Sequence, residues 1–187
     1  MTLIAGDKAP NFKAKDQDGR EVGLADFKGK KVVLYFYPRD STPGCTAEAC
    51  SLRDNYYYLL KAGYEVLGIS TDDEKSHKKF IQKEKLPFRL LADTDKAVHL
   101  QYGAWIEKSM YGRKYMGTAR ITYIINEKGI IEEVIRKVDT KNHADQILKR
   151  IPDPSKVKIE KASPGKPLKK LPIAKKVKKA IQKKKNK

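Results

Sequence analysis

The hydrophobic residues of the chain fall into short runs that alternate between strand-like and helix-like spacing. Residues 31–37, KVVLYFY, are almost all β-branched or aromatic and end before Pro38, which is typical of a buried central strand. A second buried strand is predicted at residues 65–70. Between them, residues 45–62 carry apolar side chains at helical spacing and stop at Gly63, so they predict a helix. The pattern therefore predicts a strand–helix–strand unit.

The other predicted elements extend this alternation to both sides of the unit. They are a hairpin of residues 12–16 and 20–22 around the turn DQDG, a helix from Asp72 or Asp73 to about Glu84, a weak strand at 90–92, a short helix at 96–102, an irregular loop at 103–118, a hairpin of 121–125 and 130–138 joined by NEKG, and a last helix at 143–151. Strands with helices between them predict an α/β sandwich with a central mixed β-sheet flanked by helices. This class alone does not identify a function.

Charge divides the chain into two unequal parts. Residues 154–187 hold fourteen lysines and one acid, so they carry +13 of the net charge of +18 and leave +5 for the rest. Four prolines lie among these lysines and large apolar residues are few, which predicts a disordered tail. We therefore expect a folded domain at residues 1–152 and a Lys-rich tail at 153–187. Clustered lysines favour nonspecific nucleic-acid binding, and the alternative is a solvated extension without a partner.

The compartment is predicted from what the chain lacks. No apolar run approaches the roughly 20 residues that a membrane span needs, and residues 1–10 do not resemble a signal peptide. We therefore expect a soluble, cytoplasmic protein without a membrane span.

Two cysteines, Cys45 and Cys50, are the candidate chemical groups of the chain. In a reducing cytosol such a pair is more often redox-active or metal-binding than structural. Metal is not expected, because His77, His99 and His143 are scattered, and we predict no cofactor and no catalytic histidine. The alternative interpretation is that both cysteines are small buried residues without chemistry.

The residues before Cys45 predict that it lies in the first turn of a helix. Thr42 is a favourable N-cap and Pro43 suits the first helical position. Unpaired backbone N–H groups and the helix dipole would stabilise a thiolate there, which predicts a reactive cysteine. Glu48, one turn further on, is interpreted as a charge near the helix N-terminus rather than a group that tunes the site.

The spacing of the two cysteines predicts a conformational change if they form a disulfide. Residues five apart in a regular helix have Cα atoms about 8–9 Å apart and point about 140° away from each other. A disulfide needs Cα atoms within roughly 7 Å. We therefore expect a helical dithiol form and a locally unwound disulfide form.

Two long segments resemble a known family. YFYPRDSTPGCTAEACSLRD, residues 35–54, closely resembles the active-site segment of peroxiredoxin Q, also called bacterioferritin comigratory protein. YGAWIEKSMYGRKYMGTARITYIINEKG, residues 102–129, resembles a second segment of the same family, and the similarity extends over roughly residues 3–151. The resemblance implies a thioredoxin-like three-layer sandwich and a thiol-dependent peroxidase.

The resemblance also implies roles for individual residues. Cys45 resembles the peroxidatic cysteine, which attacks hydrogen peroxide or an organic hydroperoxide and becomes a sulfenic acid. Cys50 resembles the resolving cysteine, which forms a disulfide that thioredoxin or a similar dithiol reduces. Thr42 and Arg120 resemble the residues that polarise thiolate and peroxide, and Pro43 resembles the residue that shields the sulfur. Neither metal nor cofactor is implied, and the expected assembly is a monomer or weak homodimer.

A lowered pKa of Cys45 would not by itself make the chain a fast peroxidase. Lowering a thiol pKa from about 8.5 to about 6 raises the thiolate fraction at neutral pH only some thirtyfold. Fast peroxide reduction therefore also needs donors aimed at the oxygen–oxygen bond. Candidates are the Thr42 hydroxyl, the N–H groups of Gly44 and Cys45, and an arginine; Arg39 is near in sequence, but its direction is not predicted.

Two other functions fit part of the sequence. A thioredoxin-type disulfide oxidoreductase is disfavoured, because such enzymes use the spacing C-x-x-C rather than the C-x4-C found here. A non-enzymatic nucleic-acid-associated protein would use the basic tail and keep the globular part as a scaffold. Peroxide turnover distinguishes both from a peroxidase.

Overall fold

A computed structural model describes residues 2–151 of the chain. Its strands are β1 (Lys13–Asp16), β2 (Glu21–Gly23), β3 (Lys31–Phe36), β4 (Tyr64–Ser70), β5 (Arg89–Ala92), β6 (Trp105–Met110), β7 (Arg113–Thr118), β8 (Ile121–Ile125) and β9 (Ile131–Ile135). Its helices are α1 (Pro43–Asp54), α2 (Tyr56–Lys61), α3 (Glu74–Glu84), α4 (Ala97–Gln101) and α5 (His143–Leu148), with a short 3₁₀ helix at Leu24–Phe27.

Seven of the strands form one mixed sheet in the order β2-β1-β5-β4-β3-β8-β9. The pairs β3–β4 and β4–β5 are parallel, and the other pairs are antiparallel. The parallel pairs are connected through helices, as parallel strands require. This arrangement confirms the predicted α/β sandwich with a mixed sheet.

Strand β3 separates two hydrophobic cores. Its residues Val32, Leu34 and Phe36 pack into a core that also holds residues of α4, while Val33 and Tyr35 pack into a second core against α1, α3 and α5. Because successive side chains point to opposite faces of a strand, a run of apolar residues is expected where both faces are covered. The segment after β3 leads from the edge of these cores to α1, which carries both cysteines.

Two sequence predictions differ from the structure. The helix predicted over residues 45–62 is divided at Asn55, whose side-chain amide donates to the carbonyl of Ser51 at 3.1 Å. Short polar side chains bond the nearby backbone in this way and interrupt helices. The prediction of an irregular loop at 103–118 was wrong, because β6 and β7 form a separate two-stranded antiparallel sheet there.

The predicted tail at 153–187 lies outside the described residues, and the predicted domain boundary after residue 152 stays a prediction. Within residues 2–151, the helices are too short or too polar to cross a bilayer.

Candidate active site

The loop between β3 and α1 is fixed to α3 by a buried carboxylate. Asp40 accepts hydrogen bonds from the hydroxyl groups of Tyr37 and Ser76, both at 2.7 Å, and its Oδ2 lies 2.9 Å from Nδ1 of His77. The next residue, Ser41, has φ of 57°, a left-handed conformation that is uncommon outside glycine. Several contacts therefore define the chain direction just before α1 begins.

Helix α1 starts where the sequence predicts. Thr42 is its N-cap and Pro43 its first residue, so Cys45 lies in the first turn. The first main-chain bond runs from the N–H of Thr46 to the carbonyl of Thr42 at 2.8 Å, and the N–H groups before it have no partner within the helix. The sulfur of Cys45 therefore lies at the N-terminus of α1, which is the positive end of the helix dipole.

Arg120 is the group that meets this sulfur. Cys45 is 1% exposed, and its Sγ accepts a hydrogen bond from Nη2 of Arg120 at 3.3 Å. Arg120 lies between β7 and β8, and its side chain is 26% exposed, so a partly exposed guanidinium contacts a buried sulfur. A Cβ on Gly44 would approach Nη2 of Arg120 to 2.9 Å, so this glycine leaves the space for the contact.

Glu48 connects Arg120 to a third element. Its side chain is fully buried; Oε2 accepts from Nη1 of Arg120 at 2.6 Å, and Oε1 lies 3.2 Å from Nδ1 of His143 on α5. The interpretation of Glu48 as a charge near the helix N-terminus was wrong, because it faces inward and binds the arginine that faces the sulfur. Its position one turn after Cys45 places both on the same side of α1.

Lys108 adds a second positive charge that the sequence reasoning missed. It lies on β6, and its ammonium donates to the carbonyl of Thr118. Burial, together with the positive charge of Arg120, lowers the pKa of Lys108, while the charge of Cys45 acts in the opposite direction. The β6–β7 hairpin, for which no ordered structure was expected, therefore contributes to the electrostatics of the site.

Cys50 lies apart from this cluster, on the side of α1 that faces α3. Its Sγ is 3.7 Å from Oε2 of Glu84, to which it donates, and Nη1 of Arg53 donates to the main-chain carbonyl of Glu84 at 2.6 Å. Burial and the charge of Glu84 raise the pKa of Cys50, and Arg53 offsets part of this effect. Both cysteines are free thiols, and α1 is continuous through them.

The structure brings together only some of the residues that the sequence singled out. Cys45 and Arg120 are in contact, and Pro43 begins the same turn. The Thr42 hydroxyl instead donates to the carbonyl of Arg39 at 3.1 Å, so it would have to exchange this bond to reach a substrate. Arg39 is exposed, and its side chain makes no hydrogen bond within residues 2–151.

Comparison with known protein families decides the class of the protein. The profile of the AhpC/TSA family matches residues 5–134, which include α1, Cys45, Cys50 and Arg120. The chain belongs to the AhpC/TSA family. It is a peroxiredoxin, an enzyme that reduces peroxides with a cysteine thiol.

Individual relatives place it within the peroxiredoxins. Peroxiredoxin Bcp of Escherichia coli strain K12 is 51% identical over 146 residues, which cover 78% of this chain and 94% of the relative. Peroxiredoxin Bcp of Bacillus subtilis is 40% identical over 155 residues, or 83% of this chain and 99% of the relative. These matches confirm the resemblance to the peroxiredoxin Q group.

A solved structure confirms the thioredoxin-like fold. Peroxiredoxin Q of Xanthomonas campestris aligns with a TM-score of 0.70 and 36% identity, over 74% of this chain and 87% of that chain. The chain is therefore an enzyme, so the alternative of a non-enzymatic nucleic-acid-associated protein was wrong. Nucleic-acid binding by residues 153–187 stays a prediction.

Proposed function

We propose that Cys45 is the peroxidatic cysteine and Cys50 the resolving cysteine of this peroxiredoxin. The observation that carries the proposal is the position of Cys45 Sγ in the first turn of α1, with Nη2 of Arg120 at 3.3 Å. A guanidinium there stabilises a thiolate and afterwards the charge that develops on the departing oxygen. Among the described residues, no guanidinium donates to Cys50; burial and the nearby charge of Glu84 raise its pKa, and Arg53 offsets part of this effect.

The first half of the proposed cycle takes place at Cys45. Its thiolate attacks the terminal oxygen of hydrogen peroxide or an organic hydroperoxide, so an S–O bond forms and the O–O bond breaks. The departing oxygen takes a proton and leaves as water or an alcohol, and Cys45 becomes a sulfenic acid. Arg120 contacts the attacking sulfur, and Thr42 and the N–H groups of the first turn are the further donors that we propose for the peroxide oxygens.

The second half of the cycle joins the two cysteines. The thiolate of Cys50 attacks the sulfur of the Cys45 sulfenic acid, an S–S bond forms, the S–O bond breaks, and hydroxide leaves and is protonated to water. Two electrons from thioredoxin or a similar dithiol then restore both thiols. We further propose a cytoplasmic location, where such dithiols are available. The monomer or weak-homodimer state stays a prediction that sedimentation would check.

The substrate class is supported by a solved relative. The structure of the Xanthomonas campestris bacterioferritin comigratory protein, 35% identical to this chain, is described in terms of that protein's alkyl peroxide reduction. By analogy, we propose organic hydroperoxides as well as hydrogen peroxide for this chain.

Substitution of each cysteine tests the proposal. Cys45→Ser should abolish peroxide consumption with a thioredoxin system, because the attacking sulfur is gone. Cys50→Ser should consume about one equivalent of peroxide and then stall with thioredoxin. In the unmodified protein, one equivalent of hydrogen peroxide should produce a Cys45–Cys50 disulfide detectable by mass spectrometry. Normal turnover by Cys45→Ser would exclude the assignment.

A further inference from the structure

A buried chain of polar groups continues beyond Glu48 and ends at Thr122 on β8. His143 is fully buried and lies between them, with Nε2 at 2.9 Å from the Thr122 hydroxyl and Nδ1 at 3.2 Å from Oε1 of Glu48. Glu48 in turn binds Arg120, whose other nitrogen contacts Cys45. Four elements of the fold, α1, α5, β8 and the segment before β8, therefore meet in one set of contacts behind the sulfur.

The two atoms that face each other between Glu48 and His143 have no hydrogen-bond partners among the described residues. Oε1 of Glu48 and Nδ1 of His143 are both buried. They lie 3.2 Å apart, at ion-pair distance, without the alignment of a hydrogen bond. A carboxylate oxygen only accepts, so the imidazole must carry its proton on Nδ1 when Glu48 is ionised. The Thr122 hydroxyl can then donate to Nε2. In this tautomer, Nδ1–H of His143 faces Oε1 of Glu48 at 3.2 Å, and a small rotation of the ring would align the two atoms for a hydrogen bond.

We propose that His143 is a positioning residue for the peroxidase reaction. It holds the carboxylate of Glu48 from the side opposite Arg120, so that the guanidinium keeps one nitrogen on Glu48 and directs the other to Cys45 Sγ. Without the Nδ1–H that faces it, this buried carboxylate oxygen has no polar group opposite it, and Glu48 shifts. That shift releases Arg120 from its present direction. The proposal rests on the assignment of Cys45 as the peroxidatic cysteine.

Two conservative substitutions separate this role from simple packing. Asn places an amide nitrogen near the position of the imidazole Nδ1, whereas Gln places one near Nε2. His143→Asn can therefore keep the donor to Glu48 and lose the Thr122 contact, while His143→Gln keeps the Thr122 contact and loses the donor. We expect His143→Gln to lower the second-order rate constant with hydrogen peroxide at least tenfold, since small misplacement of a catalytic group costs rates of this size. His143→Asn should stay within about threefold of the unmodified enzyme.

The control is His99→Gln. His99 is also fully buried and pairs through Nδ1 with Asp93 at 2.5 Å, but it has no contact with Cys45, Arg120 or Glu48. Thermal unfolding of all variants shows how much each substitution destabilises the fold. A similar loss of rate for His99→Gln and His143→Gln at similar stability would overturn the proposal, as would equal rates for the Asn and Gln variants of His143.

Two further measurements do not depend on rate alone. In a Cys50→Ser background, the pH profile of Cys45 alkylation by iodoacetamide should move to higher pH in His143→Gln and not in His143→Asn, because Arg120 is displaced only in the first. An unmoved profile would overturn the proposal even if peroxide turnover proves to use another cysteine.

A double substitution gives the second measurement. In a Glu48→Gln background, His143→Gln should not lower the second-order rate constant further, since both substitutions act through Arg120. Additive losses would contradict the inference. Two other titratable groups lie near this set of contacts and should be left unchanged in all variants. They are Lys108 and Tyr35, whose ring lies 6.1 Å from that of His143.

Discussion

At the residue scale, the site depends on how closely one guanidinium approaches one sulfur. Arg120 reaches Cys45 across the position of Gly44, where a side chain would occupy the path of its Nη2 atom. Since Nη2 is the end of a flexible side chain, a methyl group there would move the arginine rather than the backbone. Gly44 is therefore important for the reaction more than for stability.

Gly44→Ala tests this distinction. We expect the second-order rate constant with hydrogen peroxide to fall about tenfold or more, because the donor to the sulfur is displaced. The midpoint of thermal unfolding should change little, since alanine is favourable within a helix. Stopped-flow measurement of the rate and calorimetry give both values. In an Arg120→Met background, Gly44→Ala should have no further effect, and a further loss would show that the methyl group acts elsewhere.

Residue-scale prediction from the sequence succeeded where the signal was local. Thr42, Pro43 and Cys45 lie within four consecutive residues, and the preferences of threonine for the N-cap and of proline for the first helical position predicted the start of α1. The Thr42 side chain itself makes no capping hydrogen bond. Arg120 and His143 could not be derived in this way, because they meet Cys45 and Glu48 only through the packing of distant elements. The family resemblance supplied Arg120, and no sequence signal supplied His143.

At the element scale, helix α1 holds the two thiols in different environments. Cys45 faces the core beside Ala49 and Leu52, whereas Cys50 faces Glu84 on α3. A continuous helix keeps their Cα atoms at about 8–9 Å, too far apart for a disulfide. The catalytic cycle that we propose therefore requires α1 to open.

The dithiol and disulfide forms should differ in this helix. After one equivalent of peroxide, amide exchange within Pro43–Asp54 should accelerate and helical circular dichroism should decrease, while exchange within β3 and β4 stays slow. Cys50→Ser treated in the same way is the control, since it cannot form the internal disulfide. Equal exchange in the two redox forms of the unmodified protein would contradict local unwinding.

The buried carboxylate of Asp40, which holds the loop before α1 against α3, predicts that the free energy of unfolding depends on pH. Burial alone would raise the pKa of Asp40, but the hydrogen bond and charge of His77, with the bonds from Tyr37 and Ser76, hold it below its usual value. A carboxylate whose pKa is lower in the folded state stabilises the protein above its unfolded pKa of about 3.9. This contribution is lost as pH falls through the folded value.

Asp40→Asn should therefore lower the free energy of unfolding at pH 7 by about 1–3 kcal/mol, the cost of disrupting a buried hydrogen-bonded group. The difference from the unmodified protein should shrink as pH falls below about 4, toward the lower folded pKa of Asp40, below which both proteins carry a neutral side chain at this position. Urea unfolding between pH 3 and 7 measures it. Asp18→Asn, which removes an exposed pair with Lys78 at 3.2 Å, is the control and should cost less than about 1 kcal/mol.

Most elements, but not all, were predictable from periodicity. The buried strands β3, β4 and β8 are strongly apolar, so their signal is clear. The β6–β7 hairpin gave no such signal, because most of its residues are exposed on both faces. Its turn at Tyr111 and Gly112 has positive φ at both residues, and tyrosine is not a residue that usually marks such a turn.

At the scale of the whole molecule, the sheet separates two hydrophobic cores within residues 2–151, and Cys45 belongs to only one of them. Cys45, α1 and α5 lie on one face, while α4 packs on the other. The parallel strands β3 and β4 are shared by both cores. Helix α1 can therefore open while the opposite core and the central sheet keep the fold together.

The Lys-rich residues 153–187 suggest a binding partner for the whole molecule. We propose that residues 153–187 bind polyanions such as nucleic acid without sequence preference, because fourteen lysines gain affinity by releasing counterions. The protein should be retained on immobilised DNA in a way that weakens steeply with salt, and truncation after Pro152 should abolish retention. Peroxidase activity of the truncated protein should be unchanged. Equal retention of both forms would exclude the proposal.

The place of Cys45 within a hydrophobic core has a consequence for the electron donor. In the dithiol state the sulfur helps to cover Ala49, Leu52 and their neighbours. The disulfide that we propose would draw Cys45 out of this packing. Apolar side chains would then be exposed in the oxidised form of the enzyme, which is the form that must be reduced. The disulfide form would therefore expose more apolar surface than the dithiol form. A reductase would recognise the oxidised enzyme by this surface before thiol–disulfide exchange begins.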